Sequence, residues 1–158
     1  MKLVHCSNLF HNEWSGELAD LIVQRTKQHG GLGFPDPASS SSATTHSTEH
    51  SSGLKVFFAN SGTEANEGAL KFIRKFGKSK GVEGKNEIVC FTDGFHGRSM
   101  GALSATSQSK YQEPFAPLVP GFKTAKLNDV ESIEEMITDK TCGVIVEPIQ
   151  VSGMVYSV

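Results

Sequence analysis

Apolar and polar positions change rhythm along this chain. Over Trp14 to Gln28, Leu18, Leu21, Ile22 and Arg25 follow helical spacing, and Gly30-Gly31 supplies a stop, which predicts a helix. Residues 33–54 are rich in Ser and Thr and carry no apolar period, which predicts a mobile surface loop. From Lys55 onward, short apolar runs alternate with helical patterns. Strands are predicted at Val56–Ala59, Ile88–Phe91, Phe122–Ala125 and Gly143–Val146, with helices at Ala65–Phe76 and Val130–Ile137. Such alternation implies an α/β fold: an open, mostly parallel sheet with flanking helices. The chain thus divides into an N-terminal segment with one helix (1–32), the loop (33–54), a partial α/β domain (55–150) and a tail (151–158). Within the helix at 65–76, Ala65, Ala69, Phe72, Ile73 and Phe76 share an apolar face, with Lys71, Arg74 and Lys75 away from it.

Charge and composition narrow the function by exclusion. Among 158 residues, Lys plus Arg is 15 and Asp plus Glu is 17, a formal charge of −2, which offers nucleic acid or an anionic membrane no electrostatic handle. No apolar run approaches the roughly 18 residues of a spanning helix, so a soluble chain is expected. Cys6, Cys90 and Cys142 lie far apart, which suggests neither a disulfide framework nor a zinc ribbon and fits a reducing compartment. Cys90 and Cys142 sit in apolar runs and read as small buried hydrophobes. The first residues show neither a secretory signal nor an Arg-rich presequence.

Candidate chemistry lies where the strands end. Ligands of open parallel sheets sit beyond the carboxyl ends of the strands. Three polar corners occupy such ends: Asn60-Ser61-Gly62-Thr63, Thr92 to Ser99, and Glu147-Pro148-Ile149-Gln150. At the first, a helix pattern begins at Ser61, so its leading amides lack partners within the helix and the positive end of the dipole points outward. That combination suits a phosphate, with Gly62 allowing close approach and Thr63 adding a hydroxyl. Ser61 and Glu64 also spell a capping box, and the spacing leaves capping alone and ligand binding equally open. At the second corner, Phe95 offers an aromatic face and Arg98 a fork for a carboxylate, although spacing alone favours Phe95 as core and Arg98 as surface charge. His96 reads as a structural histidine rather than a base, and Glu147 as either a ligand contact or a partner for backbone amides.

Two apparent motifs fail on context. His46-Ser47-Thr48-Glu49-His50 spells a zinc motif that needs a helix, and a Ser/Thr-rich loop is a poor host, so no metal is expected. Gly77-Lys78-Ser79 resembles the end of a phosphate loop, but Phe72 stands where that loop needs glycine.

Four segments, in order, carry a family resemblance: His5 to Glu13, Phe58 to Glu67, Phe95-His96-Gly97-Arg98, and Val146 to Gln150. Together they resemble the class III, pyridoxal-phosphate-dependent aminotransferases of fold type I, in particular the fungal mitochondrial acetylornithine type. The resemblance implies pyridoxal 5′-phosphate as cofactor, its phosphate held by Gly62 and Thr63 with Ser61 setting the corner. It implies that Phe95 stacks on the pyridine ring and that Glu147 lies near that ring. Arg98 would bind the substrate α-carboxylate, with Asn8 and His11 bordering the substrate entrance. The implied reaction moves the δ-amino group of N-acetylornithine to 2-oxoglutarate. A homodimer, small amino-acid and oxo-acid substrates and a mitochondrial location follow from the same resemblance; without a presequence the residues alone would suit the cytoplasm.

The resemblance also implies a Schiff-base lysine beyond the Glu-Pro-Ile-Gln segment, and the sequence ends eight residues past Gln150 with no matching lysine. The expectation is therefore of no catalytic residue in this chain and no transamination by it alone. A non-catalytic truncated paralogue that binds phosphate esters or a full-length partner is the alternative; a phosphosugar-binding domain would leave Phe95–Arg98 and Glu147–Gln150 unexplained. From Val151 the tail departs from the family pattern, with Ser152 where an acid is usual, as translated intron sequence would.

Overall fold

The computed structural model describes residues 12–29, 54–150 and 156–157. It forms two compact units, Met1–Phe57 and Phe58–Val158. In the first unit, helix α1 spans Glu13–His29, one residue longer at each end than the apolar spacing predicts. The Asn12 side chain starts it by accepting the Trp14 N–H at 3.0 Å, and Glu13 favours the positive end of the dipole. The loop predicted over 33–54 lies outside the described residues except for Leu54, as does the His46–His50 motif. No described helix is long and apolar enough to cross a membrane.

The second unit is built on a parallel sheet of three strands. Its elements are α2 (Gly62–Ser79), β1 (Glu87–Phe91), α3 (Met100–Ala105), α4 (Ser109–Gln112), a 3-10 turn (Glu113–Phe115), β2 (Phe122–Ala125), α5 (Val130–Met136), β3 (Thr141–Val144), β4 (Ile149–Gln150) and β5 (Tyr156–Ser157). The order is β2-β1-β3, and a separate antiparallel ladder joins β4 and β5. Strand β1 is central because it is apolar on both faces, and Ile88, Val89 and Cys90 are wholly buried. Its register pairs Ile88 with Phe122 on one side and with Gly143 on the other.

Alternation along β1 sends its side chains to two helical layers. Val89 and Phe91 pack with Ala125 beneath Leu127 and with Ile133 and Met136 of α5. The face shared by Ile88 and Gly143 lies under α2, whose Ile73 occupies the place of any side chain at Gly143. A side chain at Gly77 would likewise strike the Cys142 Cβ and the Lys85 carbonyl, so α2 rests directly on β3. The buried residues of α2 are therefore Leu70 and Gly77, with half-buried Ile73 between them against Gly143. This corrects the face read from the spacing: Phe72 and Phe76 are 61% and 54% exposed. A close helix–strand contact selects a row of small or narrow residues, whatever the size of the apolar residues beside it.

Residues 56–59, predicted as a strand, form none. An apolar run supplies side chains for a strand but not the neighbouring edge that must pair with it, and no ladder of the described residues includes this run. Strand β3 begins two residues before its predicted start and stops at Val144, although the Ile145 N–H still donates to Val89 O at 2.9 Å. Cys90 is buried and Cys142 half-buried, both free thiols, and burial raises the Cys142 pKa.

Candidate functional site

At the first corner, Ser61 caps α2 in extended conformation, and its Oγ accepts the Glu64 N–H at 3.3 Å. Glu64 Oε2 in turn accepts the Asn60 N–H at 2.8 Å, and the Ala65 N–H donates to Ser61 O at 3.0 Å. Ser61 and Glu64 thus cap the helix, with Glu64 reaching back one residue beyond the cap, but they satisfy only part of the helix end. Neither the Gly62 nor the Thr63 N–H has an acceptor among the described residues. Among the described residues, nothing beyond its chain neighbours and its own helix stands within 4 Å of where a Gly62 side chain would begin, so the approach is open on that side. Capping and anion binding therefore use different donors and do not compete.

The second corner is folded onto that nest. Gly97 sits at φ 130, in the region that favours glycine, and a side chain there would strike Thr63. Asn66 Nδ2, one turn into α2, donates to His96 O at 2.7 Å. Glu67 Oε1 accepts three donors at the start of α3: Ser99 Oγ at 2.6 Å, Gly101 N–H at 2.8 Å and Ala102 N–H at 3.0 Å. Burial pushes the Glu67 carboxyl upward, but the Ser99, Ala102 and Gly101 donors outweigh it and hold the pKa below the usual carboxylate range. His96 is buried, its N–H donates to Thr106 Oγ1 at 2.9 Å, and burial lowers its pKa against the opposing pull of Glu147. Burial of its ring thus favours the neutral form, and its backbone is tied to both Thr106 and Asn66.

The third corner closes on the second. Glu147 Oε2 accepts the Phe95 N–H at 2.8 Å, and Gln150 Nε2, on a side chain buried to 2% exposure, donates to Thr92 O at 3.0 Å. Glu147 thereby fixes the backbone of the aromatic residue. Phe95 itself is 42% exposed and not core. Its ring centroid lies 5.3 Å from the Arg98 Cζ, and Arg98 also lies over Tyr111 at 3.8 Å. Lys123–Glu87 is the only ion pair among the described residues, so Arg98 is not bound to a carboxylate there.

The structure thus gathers Thr63, Phe95, Arg98 and Glu147 about one edge, with Ser61 and Gly62 shaping the nest. Asn8 and His11 lie outside the described residues. Sequence reading passed over Asn66, Glu67 and Tyr111. The first two follow Thr63 by about one helical turn, a spacing that could have placed them toward the same corner. Tyr111 carries no such local signal, since a reversal of the chain through α3 brings it back to Arg98.

Comparison with known proteins settles the family. The family model described as aminotransferase class-III matches residues 1–158. The chain belongs to the class-III aminotransferases. It is 51% identical over 153 residues to the mitochondrial acetylornithine aminotransferase of Neurospora crassa, covering 96% of this chain and 29% of that protein. With the acetylornithine aminotransferase of Aquifex aeolicus the identity is 42% over 152 residues, covering 96% of this chain and 34% of the relative. The chain therefore spans about a third of the length of these curated relatives. The solved ornithine aminotransferase of Toxoplasma gondii shares its fold at a TM-score of 0.69 and 23% identity, over 90% of this chain and 29% of that one. An (S)-enantioselective omega-transaminase from Thermomicrobium roseum matches at TM-score 0.52 and 29% identity, over 63% of this chain and 27% of that one.

Proposed function

We propose that this chain is the part of an acetylornithine aminotransferase that grips the phosphate of pyridoxal 5′-phosphate and orients the substrate carboxylate. The observation that carries this reading is the pair of unpaired Gly62 and Thr63 amides beside open space, with Thr63 packed on Gly97 next to Arg98. The residues fit a phosphate ester: two unpaired backbone donors stand at a helix N-terminus beside the open side of Gly62, with the Thr63 hydroxyl packed next to them on Gly97. Bound there, the cofactor supplies an electron sink for moving an amino group.

The chain's own residues bind and orient. Gly62 and Thr63 take the phosphate oxygens. Phe95 presents a ring face to the pyridine, its backbone held by Glu147 at 2.8 Å. Arg98 binds the α-carboxylate by paired hydrogen bonds. N-acetylornithine as amino donor, 2-oxoglutarate as acceptor, a homodimer and a mitochondrial location are proposed for the whole enzyme. They rest on the relatives' names and on the resemblance of the motifs.

Calorimetric titration with pyridoxamine 5′-phosphate and with pyridoxamine tests the phosphate nest. The phosphorylated form is expected to bind more tightly, and Thr63→Ala to weaken it by about tenfold, the scale of one charge-assisted bond. Equal binding of the two forms would refute the nest. In the whole enzyme, N-acetylornithine and 2-oxoglutarate are expected to yield glutamate; absence of turnover with this pair would refute the substrate assignment.

A further inference from the structure

Arg98 has a long, rotamer-rich side chain, so its usefulness as a carboxylate fork depends on what holds it. Its guanidinium carbon lies 3.8 Å from the Tyr111 ring centroid, closer than the 5.3 Å to Phe95. At that separation the cation lies against the π-face, which leaves the N–H groups at its edge for an incoming carboxylate. Tyr111 is itself anchored to the second corner. Its N–H donates to Gln108 O at 3.0 Å, and Gln108 Nε2 reaches Asp93 O and Gly94 O, each at 3.3 Å. The next residue, Gln112, donates from Nε2 to Leu103 O at 3.1 Å. The backbone that carries the ring is thus tied to the loop that presents Phe95. Lys110 Nζ also lies 4.7 Å from the ring, which places a second positive charge near the same edge.

We propose that Tyr111 is a positioning residue for substrate binding: its ring is the shelf that carries the Arg98 guanidinium and sets the direction of its fork. The proposal rests on the reading that Arg98 takes the substrate carboxylate. It predicts that Tyr111 governs carboxylate recognition and has no share in holding the phosphate.

The test is a double-mutant cycle in the whole enzyme, reading KM for the oxo acid, kcat, and affinity for pyridoxamine 5′-phosphate. Tyr111→Leu is expected to raise KM about two- to fivefold, the span of an exposed cation–π contact. Affinity for pyridoxamine 5′-phosphate is expected to stay unchanged, and Tyr111→Phe, which keeps the ring, to restore KM. In an Arg98→Ala background, Tyr111→Leu is expected to add nothing. An unchanged KM in Tyr111→Leu, or an equal rise with and without Arg98, overturns the shelf while leaving the role of Arg98 intact. An unchanged KM in Arg98→Ala overturns the underlying reading and the shelf with it. Tyr111→Met provides the same comparison if the leucine variant does not fold.

Discussion

Replacing Glu67 by alanine strips three donors of their acceptor at once: Ser99 Oγ, Gly101 N–H and Ala102 N–H, all held by Oε1 at 2.6 to 3.0 Å. Bonds to a charged group contribute about 1.5–3 kcal/mol each when buried. Here they share one oxygen on a half-buried carboxylate, so a combined loss of about 2–3 kcal/mol is expected, well short of a threefold sum. Glu67→Gln keeps the accepting oxygen and loses only the charge, for about 1 kcal/mol. Urea unfolding followed by circular dichroism checks both values, with an expected midpoint shift on the order of 1 M for the alanine variant. The pH dependence supplies a second reading. The folded Glu67 has a pKa below its ordinary value, so its stabilisation is complete above about pH 4.3 and is lost as pH falls through the lower folded value. Glu67→Gln is expected to flatten that acid limb. An alanine variant within about 0.5 kcal/mol of the parent, the range of an ordinary surface change, would refute the clamp.

Two other perturbations probe the packing around the nest. Gly97→Ala places a methyl group into Thr63 at a backbone angle unfavourable to any side chain, so it should abolish phosphate-ester binding and cost about 1–3 kcal/mol of stability; titration with pyridoxamine 5′-phosphate reads the first effect and urea unfolding the second. Gly77→Ala drives into the Lys85 carbonyl and Cys142, lifting α2 off β3, and is expected to cost about 1–3 kcal/mol by urea unfolding while leaving the amides of the first corner unpaired.

Residue order alone determined much of this fold. The period of α1, the continuous apolar run of β1 and the Ser61–Glu64 cap are local features, and each forms nearly where the pattern places it. Strand β2 forms at its predicted bounds. The unpaired amides of the first corner were also legible, because a helix start leaves amides unpaired whatever surrounds it. Tertiary structure decided everything that needs a neighbour. Residues 56–59 have strand composition but no ladder, and α2 turns Leu70, Ile73 and Gly77 inward rather than its phenylalanines because β3 demands close approach. The short α3 carries no strong period and is held by Glu67 from another helix. The spacing favoured Phe95 as core and Arg98 as surface charge; the fold exposes both, and lays Arg98 on Tyr111. Local sequence fixes which backbone groups are left without partners, whereas only packing decides which distant side chains arrive to use them.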